Sequence, residues 1–82
     1  MSTSAFNFKY EPLAVRVTFD EHGFTAHLSD GRSISLPYAY SARLAKATPE
    51  QRADYELIAD GYGIHWPQID EDLSVAGMLR QA

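Results

Sequence analysis

The segment from Val15 to Leu36 constrains this chain more than any other. Val15, Val17 and Phe19 alternate with Arg16 and Thr18; Phe24, Ala26 and Leu28 alternate with Thr25 and His27; Ile34 and Leu36 alternate with Ser33 and Ser35. Successive side chains on a strand point to opposite faces, so each run predicts a strand with one apolar and one polar face. The short turn-rich loops Asp20-Glu21-His22-Gly23 and Ser29-Asp30-Gly31 join the three strands as antiparallel hairpins.

The register follows from the same pattern. A two-residue turn at Asp30-Gly31 sets Leu28 against Ser33 and mixes apolar and polar residues on one face. A three-residue loop, with Gly31 left-handed, pairs Leu28 with Arg32, Ala26 with Ile34 and Phe24 with Leu36. Only the second keeps the buried set together, because a one-residue slip inverts every side chain. In the first hairpin Phe19 then faces Phe24, and Val17 faces Ala26.

Helices are expected after Pro37. Tyr40, Leu44 and Ala47 fall at helical spacing within Tyr38 to Ala47. Thr48-Pro49-Glu50-Gln51 reads as a helix start, with Thr48 as cap, Pro49 in the first turn and Gln51 completing a capping box, and the helix running to about Tyr55. Glu56 to Asp60 either continues it or forms a fourth strand; the strand is favoured because Gly61-Tyr62-Gly63 then opens a connection. Ser74 to Arg80 reads as a last helix capped by Asp72 or Ser74. Ahead of all this, Phe6, Phe8 and Tyr10 alternate with Asn7 and Lys9 until Glu11-Pro12, so residues 1–11 read as an N-terminal arm or edge strand. The expected architecture is α+β: residues 12–82 as a single domain with an antiparallel β-meander of three strands, extended by the fourth, and two or three short helices packed on one face.

Composition narrows the function. The chain has 82 residues, no cysteine and a net charge of −4. Disulfides, thiolate zinc sites and cysteine nucleophiles are thereby excluded. Its seven basic residues are scattered, so direct nucleic-acid binding is not expected. No apolar run approaches a membrane span, and no secretory leader pattern is present, which makes the bacterial cytoplasm the expected location. An acidic balance favours solubility and fast association with a basic partner.

The segment Gly61 to Leu79 concentrates the unusual side chains: the sole Trp, His65 and Asp70-Glu71-Asp72. Gly61, Gly63 and Pro67 mark it as an irregular connection, and connections often carry function. Combined with Asp30-Gly31-Arg32, the Pro37-to-Arg43-Leu44 spacing, Ala47-Thr48-Pro49-Glu50-Gln51-Arg52 and the blocks Gly61-Tyr62-Gly63-Ile64-His65-Trp66-Pro67 and Asp70-Glu71-Asp72-Leu73-Ser74-Val75, it resembles the bacterial family called domain of unknown function 2442, over roughly residues 12 to 80. The resemblance implies an α+β fold with an antiparallel sheet and short helices. It also implies a genetic context: such genes often sit beside those of domain of unknown function 4160, in pairs that look like toxin–antitoxin modules. Some relatives carry a C-terminal helix-turn-helix; none is expected here, which counts against direct DNA binding.

Candidate chemistry centres on the same segment. His65 with Asp70 and Asp72 has metal-ligand character, but without a fourth ligand or spacing motif no metal and no cofactor is expected. Ser74, His65 and Asp70 contain the residue types of a hydrolytic triad, yet no nucleophile elbow or oxyanion loop accompanies them. Three adjacent carboxylates do not span a cleft as a glycosidase pair must. The plainer account is that His65 and Trp66 pack the connection while Asp70 and Asp72 cap the last helix. Trp66 either plugs the core, which is favoured, or anchors an interface. The expected function is therefore a non-enzymatic protein-interaction domain, an antitoxin-like partner of a small basic protein encoded nearby. Its candidate partner-binding residues are Tyr62, His65, Trp66, Asp70, Glu71 and Asp72, with Glu71 the acidic residue least needed as a cap. The alternatives are a ligand-sensing or transcription-regulatory accessory module, and a small enzyme or metal-binding protein centred on His65.

Overall fold

The computed structural model describes residues 12–81. The alternating stretch at residues 6–10, and with it the N-terminal arm, lies outside the described residues. The order of elements is β1 (Ala14–Phe19), β2 (Gly23–Leu28), β3 (Ser33–Pro37), a 3-10 turn (Tyr38–Tyr40), α1 (Ala42–Lys46), α2 (Pro49–Ala53), β4 (Glu56–Ile58), a second 3-10 turn (Ala59–Gly61), β5 (Gly63–Trp66), β6 (Glu71–Ser74) and α3 (Val75–Gln81).

The first sheet is the expected meander, in order β1-β2-β3. Val17 pairs with Ala26, Phe19 with Phe24, Ala26 with Ile34 and Phe24 with Leu36. Gly31 is left-handed at φ 92, and Leu28 closes the loop with a backbone bond to Arg32. One position departs from the period-two pattern. The ladder shifts between Ala14 and Arg16, so Val15 is the extra residue of a β-bulge and is 57% exposed, while Ala14 takes the buried place.

The fourth strand exists but does not extend the meander. It joins a second three-stranded antiparallel sheet, β4-β5-β6. The segment read as an irregular connection is two strands of this sheet, with residues 67–70 as the hairpin loop between them. The period is visible in retrospect: Ile64 and Trp66 face inward, Gly63 and His65 outward. The punctuation by Gly61, Gly63 and Pro67 obscured it, because only three residues, Ile64, His65 and Trp66, lie between Gly63 and Pro67. The helices also differ in detail. Ser41 is extended and breaks the expected Tyr38–Ala47 helix, its side chain capping α1 at the Leu44 amide. Thr48 and Gln51 form the capping box, but Asp54 ends α2 after Ala53. Ser74 rather than Asp72 caps α3, accepting from the Gly77 amide at 3.0 Å.

A single core joins the layers. Val17, Phe24, Ala26, Leu28, Ile34 and Leu36 supply the inner face of the first sheet, Ile64 and Trp66 that of the second, and Leu44, Val75 and Met78 come from the helices. Trp66 is 0% exposed; its indole meets Phe24 edge-on, and its Nε1 donates to the Arg52 carbonyl at 2.8 Å. The indole N–H is thereby satisfied within the core, as a buried Trp requires. The Arg52 guanidinium stacks 3.7 Å over Tyr38 and donates to the Leu44 carbonyl, tying α2 to the end of α1. Tyr55 bridges the two sheets, its hydroxyl accepting from the Val17 amide at 3.0 Å.

Candidate functional site

Pairing in the second sheet sorts its side chains. Residues directly opposite each other in an antiparallel pair share a face. Glu56 pairs with His65 and His65 with Asp72, so these three form one outward row. Ile58, Gly63 and Ser74 form the next outward row. Leu57, Ile64 and Leu73, with Trp66 and Glu71, lie on the opposite face.

The six sequence candidates therefore separate. Trp66 is core, which resolves its two readings: no surface of the indole is open to a partner. Glu71 points inward and is half-buried; its carboxylate accepts from the hydroxyl of Ser41, itself 4% exposed, and from the Asp72 amide. It is the structural member of the triplet, holding Ser41 rather than standing open to a partner as the sequence reading expected. Asp70 occupies a left-handed turn position at φ 53, and the Arg43 guanidinium meets its carbonyl, with its carboxylate 3.7 Å away. Neither Asp70 nor Asp72 caps α3. Asp72, His65 and Tyr62 remain on the outer surface, Tyr62 45% exposed.

His65 and Asp72 form a hydrogen-bonded ion pair through Nδ1. That bond raises the His65 pKa above its ordinary value; partial burial opposes the rise, and the charges of Asp72, Glu56 and Asp70 add to it. Asp72, not Asp70, is thus the histidine's partner, and the Ser74 hydroxyl is committed to capping α3. Among the described residues no three His, Asp or Glu side chains come together as a metal site.

A shallow groove lies at the second outward row. Ile58, Tyr62, Gly63, Leu73, Asp72 and Ser74 line it, with Ala59 at its end. Ala59, one of the lining residues, opens a run of three consecutive positive-φ residues, Ala59, Asp60 and Gly61, at φ 52, 59 and 102. Gly61 is required there twice over, since a Cβ would also stand 2.6 Å from the Ala14 carbonyl oxygen. Sequence reading missed Glu56, Ile58, Gly63 and Ser74 as surface partners of His65 and Tyr62. The available signal was the alternation Gly63, His65 against Ile64, Trp66.

Charge is divided along the chain. Residues 1–52 carry five carboxylates and six Lys or Arg; residues 53–82 carry six carboxylates and a single Arg, a net of −5. The second sheet and its flanks belong to this acidic half. By contrast, the polar face of the first sheet is internally bonded: Thr18 and Ser33 both meet His27, and Thr25 meets Ser35.

Fold and site together define a small α+β domain with two packed antiparallel sheets and an acidic, grooved outer face. The chain belongs to the family described as protein of unknown function, domain of unknown function 2442, whose model matches residues 14–82. A crystal structure of a protein of unknown function from Rhodospirillum rubrum is similar, with 29% identity, a TM-score of 0.78, and 87% of this chain and 88% of that chain covered. A solution structure of an uncharacterised protein from Chromobacterium violaceum shares the fold at 23% identity and TM-score 0.75, covering 93% of this chain and 71% of that one. No curated protein matches the chain. Among the described residues no helix is long and apolar enough to cross a membrane.

Proposed function

We propose that this chain is a non-enzymatic protein-interaction domain whose acidic outer sheet receives a basic partner, in the cytoplasm. The observation that carries the reading is the charge division: residues 53–82 carry a net of −5, and two of their carboxylates, Glu56 and Asp72, stand on the outward face of the second sheet beside an exposed Tyr62 and a groove. Complementary charge steers association and fixes partner choice more than it sets affinity. Tyrosine beside polar residues is the kind of surface that interfaces use. The paired-gene context implied by the family resemblance makes a small basic protein encoded nearby the first partner to test, in an antitoxin-like arrangement. The cysteine-free composition suits a reducing compartment.

The test is co-expression with the neighbouring gene product, followed by association rates at low and moderate salt for wild type and Glu56→Lys. Glu56 is exposed and lies in the outward row. The expected result is a stable complex whose association slows with salt and with the charge reversal. A complex indifferent to both, or tight DNA binding by the isolated chain, would falsify the reading.

A further inference from the structure

We propose that the groove beside Gly63 is a subsite for one arginine side chain of a partner polypeptide, an inference that rests on the acidic half being the partner-binding half. Gly63 lines the groove with backbone alone, and Ile58 packs close beside it: a Cβ there would stand 3.0 Å from Ile58 Cγ1, so any side chain at this position would push the Ile58 wall out of place. Ile58 and Leu73 supply apolar wall, Tyr62 an exposed aromatic face, and Asp72 and Ser74 the polar end. One Asp72 oxygen is engaged by His65 Nδ1. The other is available to accept a second donor.

This set of surfaces matches a guanidinium group better than the alternatives. An arginine lays its aliphatic stem on apolar surface, stacks its planar head on an aromatic ring and donates in the plane to a carboxylate. An anionic ligand meets the charge of the acidic half. A purely apolar side chain would cover the Asp72 carboxylate without replacing its hydrogen bonds to water, which costs free energy. A lysine ammonium satisfies the charge but makes less use of the Tyr62 face. The groove is shallow and open to solvent, so it admits a side chain reaching down from a polypeptide lying on the sheet.

The experiment is titration of the 15N-labelled full chain with N-acetyl-arginine amide and, in parallel, N-acetyl-lysine amide, followed by amide chemical shifts. The expected result is saturable shifts at Tyr62, Gly63, Leu73 and Ser74, with arginine binding about 2- to 5-fold more tightly than lysine. Tyr62→Ala should remove that preference, and Asp72→Asn should weaken both ligands; the same spectra report whether each variant is folded. Shifts confined to Glu56 and Asp60, or a preference that survives in Tyr62→Ala, would sink the subsite while leaving the acidic-half reading standing. Shifts confined to residues 14–52, or none at all, would overturn both. Where a variant does not fold, the location of the wild-type shifts and the wild-type arginine-to-lysine preference decide: equal binding of the two ligands would likewise sink the subsite.

Discussion

Gly31 sits at φ 92 with no atom within 4 Å of where a Cβ would stand. A side chain there meets open space, so its cost is backbone strain alone. Gly31→Val is expected to lose about 1–2 kcal/mol, and Gly31→Asn less, because asparagine visits left-handed conformations more readily. Thermal melts of the three proteins check this, and identical midpoints would contradict the three-residue loop. Trp66 poses the opposite case, a large side chain with no free space and a satisfied N–H. Trp66→Ala is expected to cost about 3–5 kcal/mol, enough to unfold a domain this small, whereas Trp66→Phe keeps the ring contact with Phe24 and loses the bond to the Arg52 carbonyl. Chemical denaturation separates the two. A folded Trp66→Ala protein that had lost only its partner would mean that the indole reaches the surface in solution.

At the scale of elements, the link between α1 and β6 is the most exposed to test. Ser41 caps α1 and donates to Glu71, so one hydroxyl holds a helix start against a strand. Ser41→Ala is expected to cost about 2 kcal/mol, since it removes both the cap and a hydrogen bond to a charged group. Denaturation should show Glu71→Gln as milder than Ser41→Ala, because an amide oxygen still accepts; equal losses would argue against the cap. These elements also mark where sequence reading works. The register of the first sheet from Val17 to Leu36 was legible because three alternating runs and one glycine loop agree on it. The capping box at Thr48 was legible because its signals are local. The second sheet was not, since each of its strands has three or four residues and its pairing is set by tertiary contact. Val15 could not be placed by alternation either, because a bulge breaks the period it relies on. For the candidate residues, the acidic triplet stands out in the sequence, yet which carboxylate faces the core, the turn or the solvent depends on the strand that went unread.

For the whole molecule, the proposed binding of a cationic partner is expected to depend on pH through His65. The groups facing this histidine are Glu56 from β4, Asp72 from β6 and Asp70 from the hairpin loop. The hydrogen bond to Asp72 leads in raising its pKa, and the three negative charges act in the same direction. A raised folded pKa means that His65 contributes stability fully present below its unfolded value, and that this contribution is lost as pH rises through the folded value. Binding of a cationic partner runs the other way. Below the folded pKa the imidazolium cancels one of the negative charges on the outward row; above it the row is more negative and Asp72 is no longer held in an ion pair. Affinity for an arginine peptide is therefore expected to rise between about pH 6 and about pH 8, while arginine itself stays charged throughout. His65→Gln keeps a polar side chain on the row without a titrating group, and should bind with nearly the same affinity at both values. Fluorescence anisotropy with a labelled arginine-containing peptide measures this at constant ionic strength. A wild-type affinity that is flat across the range would contradict the pH dependence, and a step that persists in His65→Gln would mean that His65 is not its source.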